Sequence, residues 1–130
     1  ALGCAEGKGD SMTQARAIFL LAIVAGLLGL AHLALTALLY PKWTTDALWF
    51  VGTGFAIVIG AMANIAAINA ADQTSRSILA VINAIMTGFF AAAWSVLPGP
   101  QVIVGGILFA GLALCTFRSA IPSVSRGEKQ

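Results

Sequence analysis

The chain has 130 residues, of which 59% are hydrophobic and only 9% charged, against about 25% charged in an ordinary soluble domain. A water-soluble fold cannot be surfaced from so few polar groups. The net charge of +2 includes no basic stretch able to follow a phosphate backbone, so nucleic acid is excluded as a partner. The placement of charge is more telling than its amount. Residues 17–39, 47–71, 77–117 and 119–125 contain no Asp, Glu, Lys or Arg. Crossing a bilayer takes about 20 mostly apolar residues in a helix. The expected fold is therefore all-α: a polytopic membrane protein, an up-down bundle of four transmembrane helices with both termini in the cytoplasm.

Residues 1–14 are expected to form a flexible tail, either native or an expression remnant, because they are Gly-rich and polar before an apolar run. The first span is predicted over about 15–40. Pro41 stops it, since proline lacks an N–H and disfavours helix in the residue before it. The second span is predicted over about 45–71. Thr44 or Thr45 caps it, and Asp46 suits its first turn. Asp72-Gln73-Thr74-Ser75 then makes a turn and a cap. The third span is predicted over about 76–97 and is broken by Pro98-Gly99-Pro100. The fourth is predicted over about 101–120, short enough that a re-entrant path competes with a full crossing. Residues 122–130 form a cytoplasmic tail.

Orientation follows from the basic residues. Lys8, Arg16, Arg76, Arg118, Arg126 and Lys129 fall on one side and Lys42 alone on the other, which makes the first side cytoplasmic. Tyr40, Trp43, Trp49 and Trp94 cluster near the outer boundary, where amphipathic rings are favoured.

Helices in lipid associate through close packing of small residues. Each span carries such a stripe: Ala22, Gly26 and Gly29; Gly52, Ala56 and Gly60; Ala84, Gly88 and Ala92; Gly106 and Ala110. These stripes fit packing within one bundle, or contact with a second copy.

Polar groups inside the spans are the best functional signal, because hydrocarbon leaves them unsatisfied unless they find partners. With a rise of about 1.5 Å per residue they sort into two layers. The outer layer comprises His32, Thr36, Tyr40, Trp49, Thr53 and Trp94, with Ser95 nearby, and is the candidate ligand-binding layer. The inner layer comprises Asn64, Asn83 and Thr87, and the two asparagine amides are placed so that they can meet across adjacent helices. Interhelical hydrogen bonding is the simplest reading of both. For His32 the alternative is a ligand-binding group in an outward-facing cavity.

The remaining chemistry is sparse. No Asp or Glu lies within a span, so carboxylate-driven proton coupling is disfavoured. Cys4 and Cys115 show no metal or redox spacing, no metal site is expected, and no phosphate loop is present. Ser–His–acid catalysis would need a buried acid. No cofactor is expected. Four short spans match small multidrug transporters and fluoride channels in size alone.

The sequence thus points to a small non-enzymatic protein of a bacterial inner membrane. It would bind a lipidic or apolar molecule, or act as an accessory partner of a larger membrane complex, with membrane lipids and a homo-oligomer as further partners. The second reading is an oligomeric transporter or channel subunit. The third is a haem- or quinone-binding protein using His32.

Overall fold

The computed structural model describes residues 6–70 and 72–120, with side chains from residue 11 onward. The expected C-terminal tail 122–130, Cys4, and the side chain of Lys8 lie outside the described residues. Four helices are present: α1 (Glu6–Leu39), α2 (Thr45–Ala66), α3 (Gln73–Val96) and α4 (Pro100–Ala120). Among the described residues there is no strand, and all four helices are long and apolar enough to cross a membrane.

The helix ends follow local chemistry. The Thr44 hydroxyl accepts a hydrogen bond from the Ala47 N–H, so Thr44 is the cap of α2, with Asp46 in the first turn. The Asp72 carboxylate accepts from the Ser75 N–H at 2.8 Å, which starts α3 at Gln73, three residues before the predicted position. Pro100 begins α4, where its missing N–H costs nothing. α4 runs unbroken for 21 residues, about 31 Å, which matches the apolar thickness of a bilayer.

Two further boundaries differ from those expected. α1 begins at Glu6, so helix extends through residues assigned to the N-terminal tail. Propagation from an apolar helical run adds one hydrogen bond per residue without a new nucleus. α2 ends at Ala66, not near residue 71. Beyond it the Ile68 N–H bonds to Ile65 O and the Ala70 N–H to Ala67 O, tighter three-residue turns that close the helix ahead of the Asp72 cap.

The helices pack as two pairs. α1 lies along α2 and α3 along α4; α1 also meets α4, whereas α2 and α3 touch only sparsely. The core is built from small residues and a few large ones. Ala22, Ala25, Phe109 and Leu112 are completely buried, with Ile57 and Ala61 beside them. Large apolar side chains point outward instead: Leu38 and Val96 are each 77% exposed and Ile107 67%.

Glycines set the closest approaches. A Cβ on Gly29 would lie 2.8 Å from Val58 Cγ2 and 3.1 Å from the Gly54 carbonyl oxygen, so α1 and α2 cross backbone to backbone. A Cβ on Gly105 would lie 2.4 Å from the Phe90 ring, which is seated directly on α4. The predicted stripes divide accordingly. Ala22, Gly26 and Gly29 of α1 face its neighbours. On α2 the contact runs through Gly54, Ile57 and Ala61, and of the predicted stripe only Gly60 is buried, against Phe109. On α3 the stripe of Ala84, Gly88 and Ala92 faces away from the bundle.

Candidate functional site

The inner polar layer condenses into one network. Asn64 Nδ2 donates to Asn83 Oδ1 and Asn83 Nδ2 donates to Asn64 Oδ1, both at 2.9 Å, forming a reciprocal amide pair between α2 and α3. The second N–H of Asn64 reaches Gly60 O at 2.8 Å, and that of Asn83 reaches Thr116 Oγ1 of α4 at 3.3 Å. Each amide carries two N–H donors, so all four are satisfied. Both residues are essentially inaccessible, at 1% and 0% exposure. Thr87 does not join the pair; its hydroxyl donates to the Asn83 carbonyl of its own helix.

Thr116 was missing from the predicted layer. Its depth is a readable signal. It lies seven residues beyond Phe109, near the middle of the fourth span, about 10 Å at the helical rise, close to the depth of Asn64, six residues beyond Val58 at the middle of the second. The amide pair is structural in character. Asn83→Ala is expected to cost about 1 to 2 kcal/mol by leaving the Asn64 carbonyl oxygen buried and unpaired, while Asn64→Leu with Asn83→Leu costs less than either alanine change alone. Reversible unfolding in mixed micelles measures both; a double variant weaker than each single one would exclude the paired-amide account.

A cavity of about 360 Å³ with mixed polar and apolar walls adjoins this network. Gln14 of α1, Asn64 of α2, Arg76 of α3, and Thr116 and Ser119 of α4 contribute to its walls. Gln14 Nε2 donates to Cys115 O at 2.6 Å and to Ser119 Oγ at 2.8 Å. Arg76 Nε donates to Ala70 O at 3.2 Å and Nη1 to Ser119 O at 3.4 Å, and Gln73 Nε2 donates to Ala120 O. The last carbonyls of a helix lack intrahelical donors and carry partial negative charge. Gln73 and Arg76 supply those donors to α4, and Arg76 also ties the end of the α2 segment to α3.

Asp72 shapes the same end. Hydrogen bonds from the Ser75 side chain and backbone N–H hold its carboxyl below the ordinary carboxylate range. A lowered folded-state pKa means stability that is present above the unfolded value and lost as pH falls through the folded one. Asp72→Ala is therefore expected to lower thermal stability at pH 7, and the difference from the parent to shrink once pH drops below the ordinary carboxylate range. Paired melting curves across pH 7 to 3 read this directly.

The outer polar layer is divided by the fold. A cavity of about 410 Å³ lies between the α1–α2 pair and the α3–α4 pair. Its walls come from the second half of α1, the first half of α2, the second half of α3 and the first turns of α4. His32, Tyr40, Trp49 and Thr53 all line it, as the sequence grouped them. Thr36 does not: it is buried, and its hydroxyl donates to the His32 carbonyl at 3.0 Å. Trp94 lines a separate apolar groove between α3 and α4, and Ser95 is exposed with its hydroxyl on Ala92 O.

Phe50, Phe89, Phe90, Asp46 and Gln101, which complete this cavity, are not part of the outer layer read from sequence. The Phe50 ring stacks on the His32 imidazole, with centroids 3.7 Å apart and planes 14° from parallel. Tyr40 meets the same Phe50 ring at 5.5 Å and 50°. Phe89 and Phe90 of α3 form the opposite wall, Asp46 of α2 supplies a carboxylate, and Gln101 of α4 an amide. Phenylalanines in an apolar span carry no polar signal, so sequence reading passed them over. His32 and the methionines are not gathered into one pocket: Met62 is 63% exposed, Met86 packs on the core, and neither lines the cavity with His32.

The two cavities do not join. Between them lie Ala22, Ala25, Ala61, Phe109 and Leu112, all buried. On α2 the gap from Ile57 to Asn64 spans about 10 Å. No protein-family model, curated protein or solved structure matches the chain significantly.

Proposed function

We propose that this chain is a four-span protein of a bacterial inner membrane, running up and down with both termini in the cytoplasm, and that it binds a small apolar or amphipathic molecule in the His32 cavity. Large side chains around the outside and alanines within support membrane insertion, since lipid, not water, is the solvent that tolerates such a surface. Arg16, Arg76 and Arg118 against Lys42 alone support the orientation, which turns the His32 cavity toward the outer leaflet.

The observation that carries the binding reading is the cavity itself. About 410 Å³ left between two well-packed helix pairs is within the size range of small-molecule sites, and its apolar walls with a few polar groups match their usual chemistry. Sparse contact between α2 and α3 offers a lateral route from the bilayer. The function is binding, not catalysis.

Trp49 reports on the site. In a Trp43→Phe/Trp94→Phe background in nanodiscs, neopentylbenzene is expected to change Trp49 emission saturably, beyond the linear partition signal of empty nanodiscs. Ala93→Phe, which fills the cavity wall, is expected to abolish the saturable part while leaving the melting temperature within a few degrees. A purely linear response in the parent protein would end the binding reading.

The transporter reading draws on one specific observation: a second cavity, around Arg76, sits on the same seam between the helix pairs. Passage would require the apolar plug at Phe109 to part. Proteoliposome flux of a bound probe tests this; binding without flux favours the binding or accessory role.

A further inference from the structure

We propose that the ligand of the His32 cavity is a lipophilic organic cation, an ammonium-type head on an apolar body; this rests on the binding reading above and names its substrate class. Two observations on the cavity wall converge on it.

The first is the wall chemistry. Trp49 and Phe50 of α2, Phe89 and Phe90 of α3, and Tyr40 just past the end of α1 bring five aromatic rings to one cavity. Aromatic faces carry negative quadrupole density and attract cations, most strongly ammonium groups that lack tightly held water. Phe50 is fixed against both His32 and Tyr40, and Phe90 against Phe109, while Trp49 and Phe89, 74% and 46% exposed, border the space at its open edge. Anchored rings lose little freedom when a ligand arrives.

The second is the charge. Among the described residues Asp46, exposed at the rim, is the one charged residue on the cavity wall, and no ion pair or side-chain hydrogen bond engages it. No Lys or Arg lines the space; Lys42, the nearest in sequence, is exposed and outside the wall. The first turn of α2 accounts for an acid at this position, because the helix N-terminus favours negative charge. It does not account for that acid bordering a ring-lined cavity, an arrangement that repels anions and draws cations in. Among the described residues the Arg76 cavity has the opposite make-up, with a guanidinium and no acid on its wall. The outer site therefore has a sign as well as a size.

The test compares two ligands of one shape. Benzyltrimethylammonium and neopentylbenzene differ in a positively charged nitrogen against a neutral carbon. Binding is read from Trp49 emission in the Trp43→Phe/Trp94→Phe protein, in nanodiscs of uncharged net composition. Asp46→Asn keeps a residue suited to the helix start and is expected to weaken the cation about tenfold, with the neutral ligand changed less than about twofold. Asp46→Glu is expected to restore most of the loss. Phe50→Leu is expected to weaken the cation more than the neutral ligand. Replacing phosphatidylethanolamine by phosphatidylcholine separates two sources of the same head: competition would make a choline lipid the resident ligand, and its absence a free cation. Equal affinity of both ligands, or an Asp46→Asn protein that binds the cation unchanged, overturns the cation assignment and leaves the binding reading intact. Saturable binding of neither ligand overturns both.

Discussion

Gly29→Val is expected to destabilise the bundle by about 2 to 3 kcal/mol, the upper part of the range for overpacking a close contact. The reason lies in what the new Cβ would meet. Val58 Cγ2 at 2.8 Å and Ile57 Cγ2 at 3.0 Å are side-chain ends that can turn away. The Gly54 carbonyl oxygen at 3.1 Å is backbone and cannot. Relief requires α1 and α2 to separate along their whole contact, and packing is the main force holding helices together in lipid. Gly52→Ala and Gly88→Ala are the matched controls. Neither position has any atom within 4 Å of an added Cβ, so unfolding of the monomer in mixed micelles should be unchanged or slightly harder. If all three variants lose stability alike, backbone freedom and not helix crossing is what the glycines supply.

Phe109→Ala is expected to cost about 2 kcal/mol. A buried Phe→Ala change in a soluble protein costs about 3 to 5 kcal/mol, the sum of a transfer loss and a cavity loss. For the membrane-inserted bundle proposed above the transfer part nearly vanishes, because lipid chains are as apolar as the core. The cavity part remains: on the order of 100 Å³ at about 24 cal/mol per Å³ gives the stated figure. Phe109 is completely buried, stacks on Phe90 with centroids 5.8 Å apart, and touches the space a Gly60 Cβ would fill, so the hole cannot close by a simple rotamer change. Its loss also thins the plug between the two cavities. Mixed-micelle unfolding gives the energy, and a loss near the soluble-protein range would mean that the unfolded state leaves the hydrocarbon.

These two predictions share a cause with the candidate site. The bundle is stiff where small residues let backbones touch, and hollow where bulky rings from α2 and α3 hold the helix pairs apart. All the hydrogen bonds that join one pair to the other through Gln14, Asn64, Asn83 and Arg76 lie toward the Arg76 cavity. The His32 cavity has aromatic and apolar walls between the same pairs, so it is the region where a ligand can be admitted at least cost to the fold.

How much of this was legible beforehand depends on the kind of signal. The number of helices, and the ends set by Pro41, Thr44, Asp72 and Pro98–Pro100, followed from sequence, because uncharged runs and these residues act locally; the start of α1 and the end of α2 did not. The meeting of Asn64 and Asn83 also followed from sequence, since two amides at similar depth on consecutive helices have few other partners in an apolar bundle. The partial grouping of His32, Tyr40, Trp49 and Thr53 rested on the same depth argument.

Depth is only one coordinate, and the rest needed the tertiary structure. A soluble helix announces its inner face by amphipathic contrast. α1 is apolar all round, so no contrast tells Gly29, which a neighbour covers, from a glycine such as Gly88 on α3, which nothing covers. For the same reason Thr36 and His32, four residues apart on one stripe, were grouped together, yet one is sealed against its own backbone and the other faces a cavity. The sequence alone determined where each residue sits along the helices. Which way it faces, and therefore that Phe50, Phe89 and Asp46 share a cavity with His32, was decided by how α1 pairs with α2 and α3 with α4, a choice made by packing between helices that no single helix encodes.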